Sequence, residues 1–239
     1  MNNSIHISEI GIIGMGRFGK LLANILSEDF KVYGYDVSNK TTNATNSLEF
    51  VASREVVIYC VPILKFEVSL RESVKYIKDN AYILDVLSVK TYAYDLMKEI
   101  LPKSVSILPT HPMFGPDAIK NGREGLPFVL CKEERTDISF FNYLENKKFS
   151  VITTSSDEHD KVTANSLCLT QLIGRVLIPH DLVESEYDTR HYKNLFQIKE
   201  TASNDTFELF VGLQKLNPYA KVMREKLKTN LSNLLKELE

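Results

Sequence analysis

The chain has 239 residues, of which 44% are hydrophobic and 25% charged, an ordinary globular composition long enough for one large domain or two modest ones. A formal net charge of -2, without any long Lys/Arg run, leaves no electrostatic footprint for nucleic acid or an anionic membrane surface. No stretch approaches the roughly 18 consecutive apolar residues of a membrane span, and the three scattered cysteines, Cys60, Cys131 and Cys168, read as reduced core thiols rather than disulfides or a metal cluster.

The opening residues, MNNSIHISEIGIIGMG, have no basic start and no apolar leader, which predicts a cytoplasmic protein. From Ile5 to about Thr154, short β-branched runs (Ile10 to Ile13, Lys31 to Tyr35, Glu55 to Val61, Ala81 to Leu87, Val105 to Pro109) alternate with segments of helical period. That alternation predicts a parallel sheet with crossover helices. Gly14, Met15, Gly16, Arg17, Phe18 and Gly19 form a G-x-G-x-x-G string between the first run and the first helix, the context that makes it a phosphate-binding turn. Asp36 ends the second run, where an acidic residue accepts hydrogen bonds from the adenosine ribose; the competing reading is a cap of the Ser38-Asn39 turn. Neither Val37 nor Ser38 is an arginine suited to a 2′-phosphate, so the cofactor expected is NAD in preference to NADP.

In a doubly wound sheet, ligands lie beyond the C-terminal ends of the strands. Cys60, Val61 and Pro62 end the fourth strand and are expected to line the cofactor trough, unless Pro62 merely terminates the strand. Asp85-Val-Leu-Ser-Val-Lys90 closes the next run and presents Ser88 and Lys90 where the nicotinamide should lie, with Ser88 alternatively a helix cap. Thr110-His-Pro-Met-Phe-Gly-Pro116 comes at another strand end. His111 precedes a proline, which holds its backbone extended, and an imidazole so held suits a general base that takes a hydroxyl proton as hydride leaves the same carbon. Asn121-Gly122 and Leu126-Pro127 then introduce apolar runs at Phe128 to Cys131 and Phe149 to Thr153, predicted as late edge strands.

At Ser155 the character changes. Ser155-Ser-Asp-Glu158 reads as a capping box opening a long helix, with Val162, Leu169, Leu172, Ile173, Val176 and Leu177 as its apolar face and Pro179 as its end. Helices are predicted over His191 to Glu200, over Asn204 to Leu216 with Asn204 as cap, and from Pro218 to the C-terminus. The fold expected is α/β, a Rossmann-type doubly wound sheet over residues 1–154 followed by a small all-helical domain over 155–239. About 85 helical residues build a marginal core alone, so a homodimer through these helices is expected.

These motifs resemble the arogenate and prephenate dehydrogenases of tyrosine biosynthesis, closest to the plant-type arogenate branch. The resemblance rests on Gly14 to Gly19, the 85–90 and 110–116 segments, Gly125-Leu-Pro-Phe-Val129, Glu158-His-Asp-Lys161, Gly174-Arg-Val-Leu177 and Asp205-x-Phe-Glu-Leu-Phe210, in the family's order over nearly the whole chain. It implies oxidative decarboxylation of arogenate or prephenate, with His111 deprotonating the ring hydroxyl and Ser88 positioning His111, substrate and nicotinamide. It further implies a substrate site that draws on Lys90, Thr170, Gln171, Thr189 and Arg190, with Arg175 facing the same choice between ligand and solvent. Asp205 would favour the side-chain ammonium of arogenate over the ketone of prephenate; its competing role is to complement a helix dipole. Position 171 departs from the histidine expected of plant members. Plant members also commonly carry Ser-Arg where this chain has Asp36-Val37, so cofactor preference is not inherited from them. The enzyme alternatives are a 3-hydroxy acid or imine dehydrogenase, in which Lys161 would do the acid–base work and the His111 segment would go unexplained. A nicotinamide-sensing regulator would need a DNA-binding or docking module, and no such module is visible in the sequence.

Overall fold

The structure is a computed structural model that describes residues 7–38, 46–116, 118–136 and 141–239. The beginning of the alternating region at Ile5, and Asn39 of the possible Ser38-Asn39 turn, lie outside the described residues. Two compact units divide the chain, Met1–Ser156 and Asp157–Glu239.

The first unit holds a seven-stranded sheet: β1 (Glu9–Ile13), β2 (Lys31–Tyr35), β3 (Val56–Tyr59), β4 (Tyr82–Asp85), β5 (Ser106–Pro112), β6 (Pro127–Cys131) and β7 (Ser150–Thr154), in the order β2-β1-β3-β4-β5-β6-β7. The strands from β2 to β5 pair in parallel, β6 runs antiparallel to β5, and β7 is parallel to β6. Helices α1 (Arg17–Leu26), α2 (Leu48–Ala52), α3 (Phe66–Ser73), α4 (Lys90–Ile100) and α5 (Phe141–Asn146) connect them. Strands β3 and β4 are buried throughout, which is why they read as unbroken apolar runs and not as alternation. Ile10, Ile12, Ile58, Leu84 and Leu108 pack with Leu22 and Leu26 of α1 in one cluster, and each such side chain contributes roughly 1.5–3 kcal/mol by leaving water.

Two features of this sheet correct the sequence reading. The strand before Cys60 is third in the chain, because the stretch between β2 and β3 carries the short helix α2 and no strand among the described residues. Strand β5 does not stop at Pro109: it runs on through Pro112, because Thr110, His111 and Pro112 gain antiparallel partners in Leu130, Val129 and Phe128.

The second unit is helical. A continuous helical stretch comprises α6 (Ser156–Thr163), a π-helical turn (Ala164–Cys168) and α7 (Leu169–Leu177); α8 (Arg190–Asn204), α9 (Phe207–Leu216) and α10 (Ala220–Lys236) come after it. The predicted apolar face of the first stretch is not what the unit buries. His159, Asp160, Thr163, Ala164, Cys168, Gln171 and Gly174 are buried, whereas Val162 and Val176 are 57% and 53% exposed. The cap of α9 is Thr206, whose side chain accepts from Leu209 N, and Asn204 is instead the last residue of α8. Pro218 lies ahead of α10, which begins at Ala220.

Replacing Leu108, fully buried in β5, with alanine should lower the unfolding free energy of the first unit by about 2–5 kcal/mol. Urea unfolding followed by circular dichroism measures it.

Candidate active site

The chain leaves β1 for β2 on one side and returns to β3 on the other, so β1 and β3 flank the point where the order reverses, the usual ligand crevice of such sheets. Their C-terminal ends meet there, Cys60 N donating to the Ile13 carbonyl at 2.7 Å. Gly14 takes φ +99°, and a Cβ on it would stand 2.7 Å from the Cys60 carbonyl, so only glycine admits this turn. Gly19 meets the Gly14 carbonyl so closely that a Cβ would not fit between α1 and β1, whereas Gly16 faces open space. A tight turn, an open backbone and a close helix–strand contact are the three requirements of a pyrophosphate cradle, so these residues fit a dinucleotide. Met15 lies over Gly34 of β2, whose missing side chain leaves its seat; sequence reading missed this pair, and its signal was a glycine inside a β-branched run.

Asp36 does two local jobs. Its Oδ2 accepts from Met15 N and its Oδ1 from Ser38 N, each at 2.8 Å, so the turn-capping role is present. Arg17 is exposed at the start of α1, and the Phe18 ring stands 6.0 Å from that of Phe114, itself stacked on Phe149 at 5.5 Å. Cys60 and Val61 press their backbone against Gly14, with Pro62 next in line. Burial, and then the Asp85 charge, push the Cys60 thiol well above its ordinary range, which makes it a poor nucleophile.

The two candidate catalytic residues flank a buried ionic network. Asp85 is the last residue of β4, and its register partner is Pro109. Lys90, the first residue of α4, has no exposed surface and places Nζ on the Asp85 carboxylate and on the Thr110 carbonyl. Thr110 Oγ1 donates back to the Asp85 carbonyl, and Leu87 N donates to Asp85 Oδ1 at 2.9 Å. A cation at a helix N-terminus opposes the helix dipole, so these bonds are what hold it there. Lys90 is therefore a buried strut and not, as the sequence suggested, a group presented to substrate. Ser88 sits between Asp85 and Lys90, half-buried; the N-cap position of α4 belongs to Val89, with no side-chain cap, so Ser88 is not the N-cap. His111, 5% exposed, lies two residues past the last parallel pair, held in the ladder opposite Val129. It is part of a strand, not of the stiff loop expected from the sequence.

In the second unit Gln171, Arg175 and Asp205 come together. Gln171 Nε2 donates to Asp205 Oδ2 at 2.5 Å, and Arg175 Nη2 donates to the Asp205 carbonyl at 2.6 Å. Asp205 is the C-cap of α8, directly before the Thr206 cap of α9, so it complements no helix from within a first turn. Thr170 is exposed beside Gln171. Thr189 caps the other end of α8 by accepting from Tyr192 N, and Arg190 begins that helix. At 1.5 Å per residue they stand about 22 Å along the axis from Asp205, so they do not line one pocket with it.

The model for the prephenate dehydrogenase nucleotide-binding domain matches residues 27–152, and one described as TYRAAT1-like, C-terminal domain, matches 176–239. Arogenate dehydrogenase 2, chloroplastic, of Arabidopsis thaliana is 32% identical over 254 residues, covering 96% of this chain and 70% of that protein. Arogenate dehydrogenase 1, chloroplastic, of the same plant is 32% identical over 250 residues, covering 96% of this chain but 39% of its own length. Among solved structures, prephenate dehydrogenase from A. aeolicus in complex with hydroxyphenyl propionate and NAD+ matches with a TM-score of 0.75 at 22% identity, over 98% of this chain and 91% of that one, a likeness of fold.

Substituting Lys90 with methionine removes the partner of a buried carboxylate, which should cost about 3–5 kcal/mol. Burial already holds the Asp85 carboxyl above its ordinary range against the pull of Lys90. A carboxyl raised in the folded state favours folding at low pH and loses that benefit as pH rises through its folded value. The deficit of Lys90→Met should therefore be smaller at pH 5 than at pH 8, as read from urea unfolding at the two values.

Proposed function

Because the chain belongs to the arogenate and prephenate dehydrogenase family, oxidoreductases of tyrosine biosynthesis, we propose that it oxidatively decarboxylates arogenate to tyrosine with NAD as the preferred cofactor. Bound nicotinamide supplies the acceptor for the hydride that leaves the ring carbon bearing the hydroxyl. His111 takes the hydroxyl proton, the bond from ring to carboxylate breaks, carbon dioxide departs, and the electrons left behind complete the aromatic ring. A β-ladder fixes the backbone that carries this imidazole and burial limits its movement, so part of the ordering that general-base catalysis needs is made in advance. Ser88, beside the Asp85–Lys90 network, orients His111 and the reacting ring.

The choice of arogenate rests on Asp205. No ion pair reaches its carboxylate among the described residues, so its charge is available to the side-chain ammonium that arogenate has and prephenate lacks. Thr170 is assigned to the same end of the substrate; Thr189 and Arg190, at the far end of α8, are not. The choice of NAD rests on Asp36, whose charge opposes a 2′-phosphate, and on Val37, 85% exposed and uncharged, at the next position. The glycine loop, Cys60, Val61 and Pro62 hold the dinucleotide backbone. Exposed Val222, Leu231, Leu234, Leu235 and Leu238 of α10 and the residues after it favour a homodimer through the helical unit.

Reduced-cofactor absorbance with arogenate and prephenate, each with NAD and with NADP, tests the reading: the fastest reduction is expected with arogenate and NAD, and inactivity in all four mixtures would overturn it. His111→Ala should lower kcat by about 10²–10⁴ while dinucleotide affinity, followed by fluorescence titration, stays within about twofold, because the imidazole acts on substrate.

A further inference from the structure

We infer that Gln171 is the positioning residue for the Asp205 carboxylate and so sets how strongly the protein favours a substrate carrying an ammonium group, an inference that rests on the function proposed above. The two helices that bring these side chains together cross at Gly174. A Cβ there would come within 2.5 Å of Ala202 Cβ and 2.7 Å of the Ile198 carbonyl oxygen, so α7 meets α8 backbone to backbone. Residues 171 and 175 lie four apart and share one helix face, and each holds a different part of Asp205 at the turn that ends α8.

The division of labour decides the charge. The Arg175 guanidinium, 5.7 and 5.6 Å from the ring centroids of Phe207 and Phe210, bonds the neutral backbone carbonyl of Asp205. The carboxylate is held by an amide, which is neutral at every pH of interest. A carboxylate pinned by a guanidinium would have its charge compensated within the protein; one pinned by an amide is fixed in place and keeps that charge for a ligand. Gln171 is only 2% exposed, and its Oε1 is buried without a partner among the described residues. An orphaned buried acceptor costs free energy, so this side chain is turned to keep its donor on Asp205 and not to satisfy itself.

The test is steady-state NAD reduction with arogenate and with prephenate, using wild type, Gln171→Met, Gln171→Lys and Gln171→His, with melting temperatures to establish folding. Methionine keeps the length and removes the donor: kcat/KM for arogenate should fall about tenfold, mainly through KM, with a smaller loss for prephenate. Lysine places a fixed cation on Asp205, so the ratio of arogenate to prephenate kcat/KM should fall by about 100-fold. Histidine, which restores an N–H donor, should recover most of the arogenate preference and covers the case in which the methionine variant does not fold. Equal losses on both substrates, or an unchanged ratio in Gln171→Lys, would overturn the inference and leave the proposed function standing. Wild type inactive on both substrates would overturn that function, and the inference with it.

Discussion

A single buried ion pair organises the chemical end of the sheet. Lys90 and Asp85 are both without exposed surface, and burying two charges costs several kcal/mol each before their attraction repays it. The bonds they make explain why the pair is kept. Through Lys90 Nζ, the Asp85 carboxylate and the Thr110 carbonyl and hydroxyl, the end of β4, the start of α4 and the extension of β5 become one rigid piece. Ser88 is carried on the segment between the two charges, and His111 comes directly after Thr110. A hydrophobic pair of equal volume would fill the space without fixing the angle at which strand and helix leave the sheet.

Much of this was legible in the residues. Strands β3 and β4 show as unbroken apolar runs because both their faces are covered, and the glycine string is meaningful because it falls between a strand and a helix. The features that escaped the sequence depend on partners remote in the chain. The extension of β5 through Pro112 is created by β6, which lies about 15 residues further on and runs the other way. Lys90 looked like a ligand because a lysine just past a strand end has the same local signature whether it faces a crevice or an internal carboxylate. Asn204, Asp205 and Thr206 are three successive capping types, and only the chain path selects Thr206 as the cap, freeing Asp205 to face Gln171.

The helical unit shows the reverse problem. Periodicity correctly announced a long helix but assigned the wrong face to the interior, because the buried row is made of small and polar residues that periodicity scores as surface. Gly174, Ala202, Ala164 and Cys168 allow close helix approach, and Gln171, Thr163 and the His159–Asp160 pair, 2.8 Å apart, occupy the rest. Asn217 Nδ2 donates to the Asp160 carbonyl and ties α6 to the end of α9. The unit is held by directional bonds as much as by apolar burial, while much apolar surface stays outside.

The π-helical turn at Ala164–Cys168 separates these two buried polar groups. A π turn accommodates one residue more than an α turn of the same rotation, so it lets an inserted residue pass without rotating the helix beyond it. An ordinary one-residue insertion would swing every later side chain by about 100° around the helix axis. In the turn here each residue advances by less than 100°, so the change of winding falls between Asp160 and Gln171, both of them buried. The helix is thus punctuated between its two buried polar ends, and the winding of the backbone there, and not only the count of residues, sets which side of α7 meets Asp205.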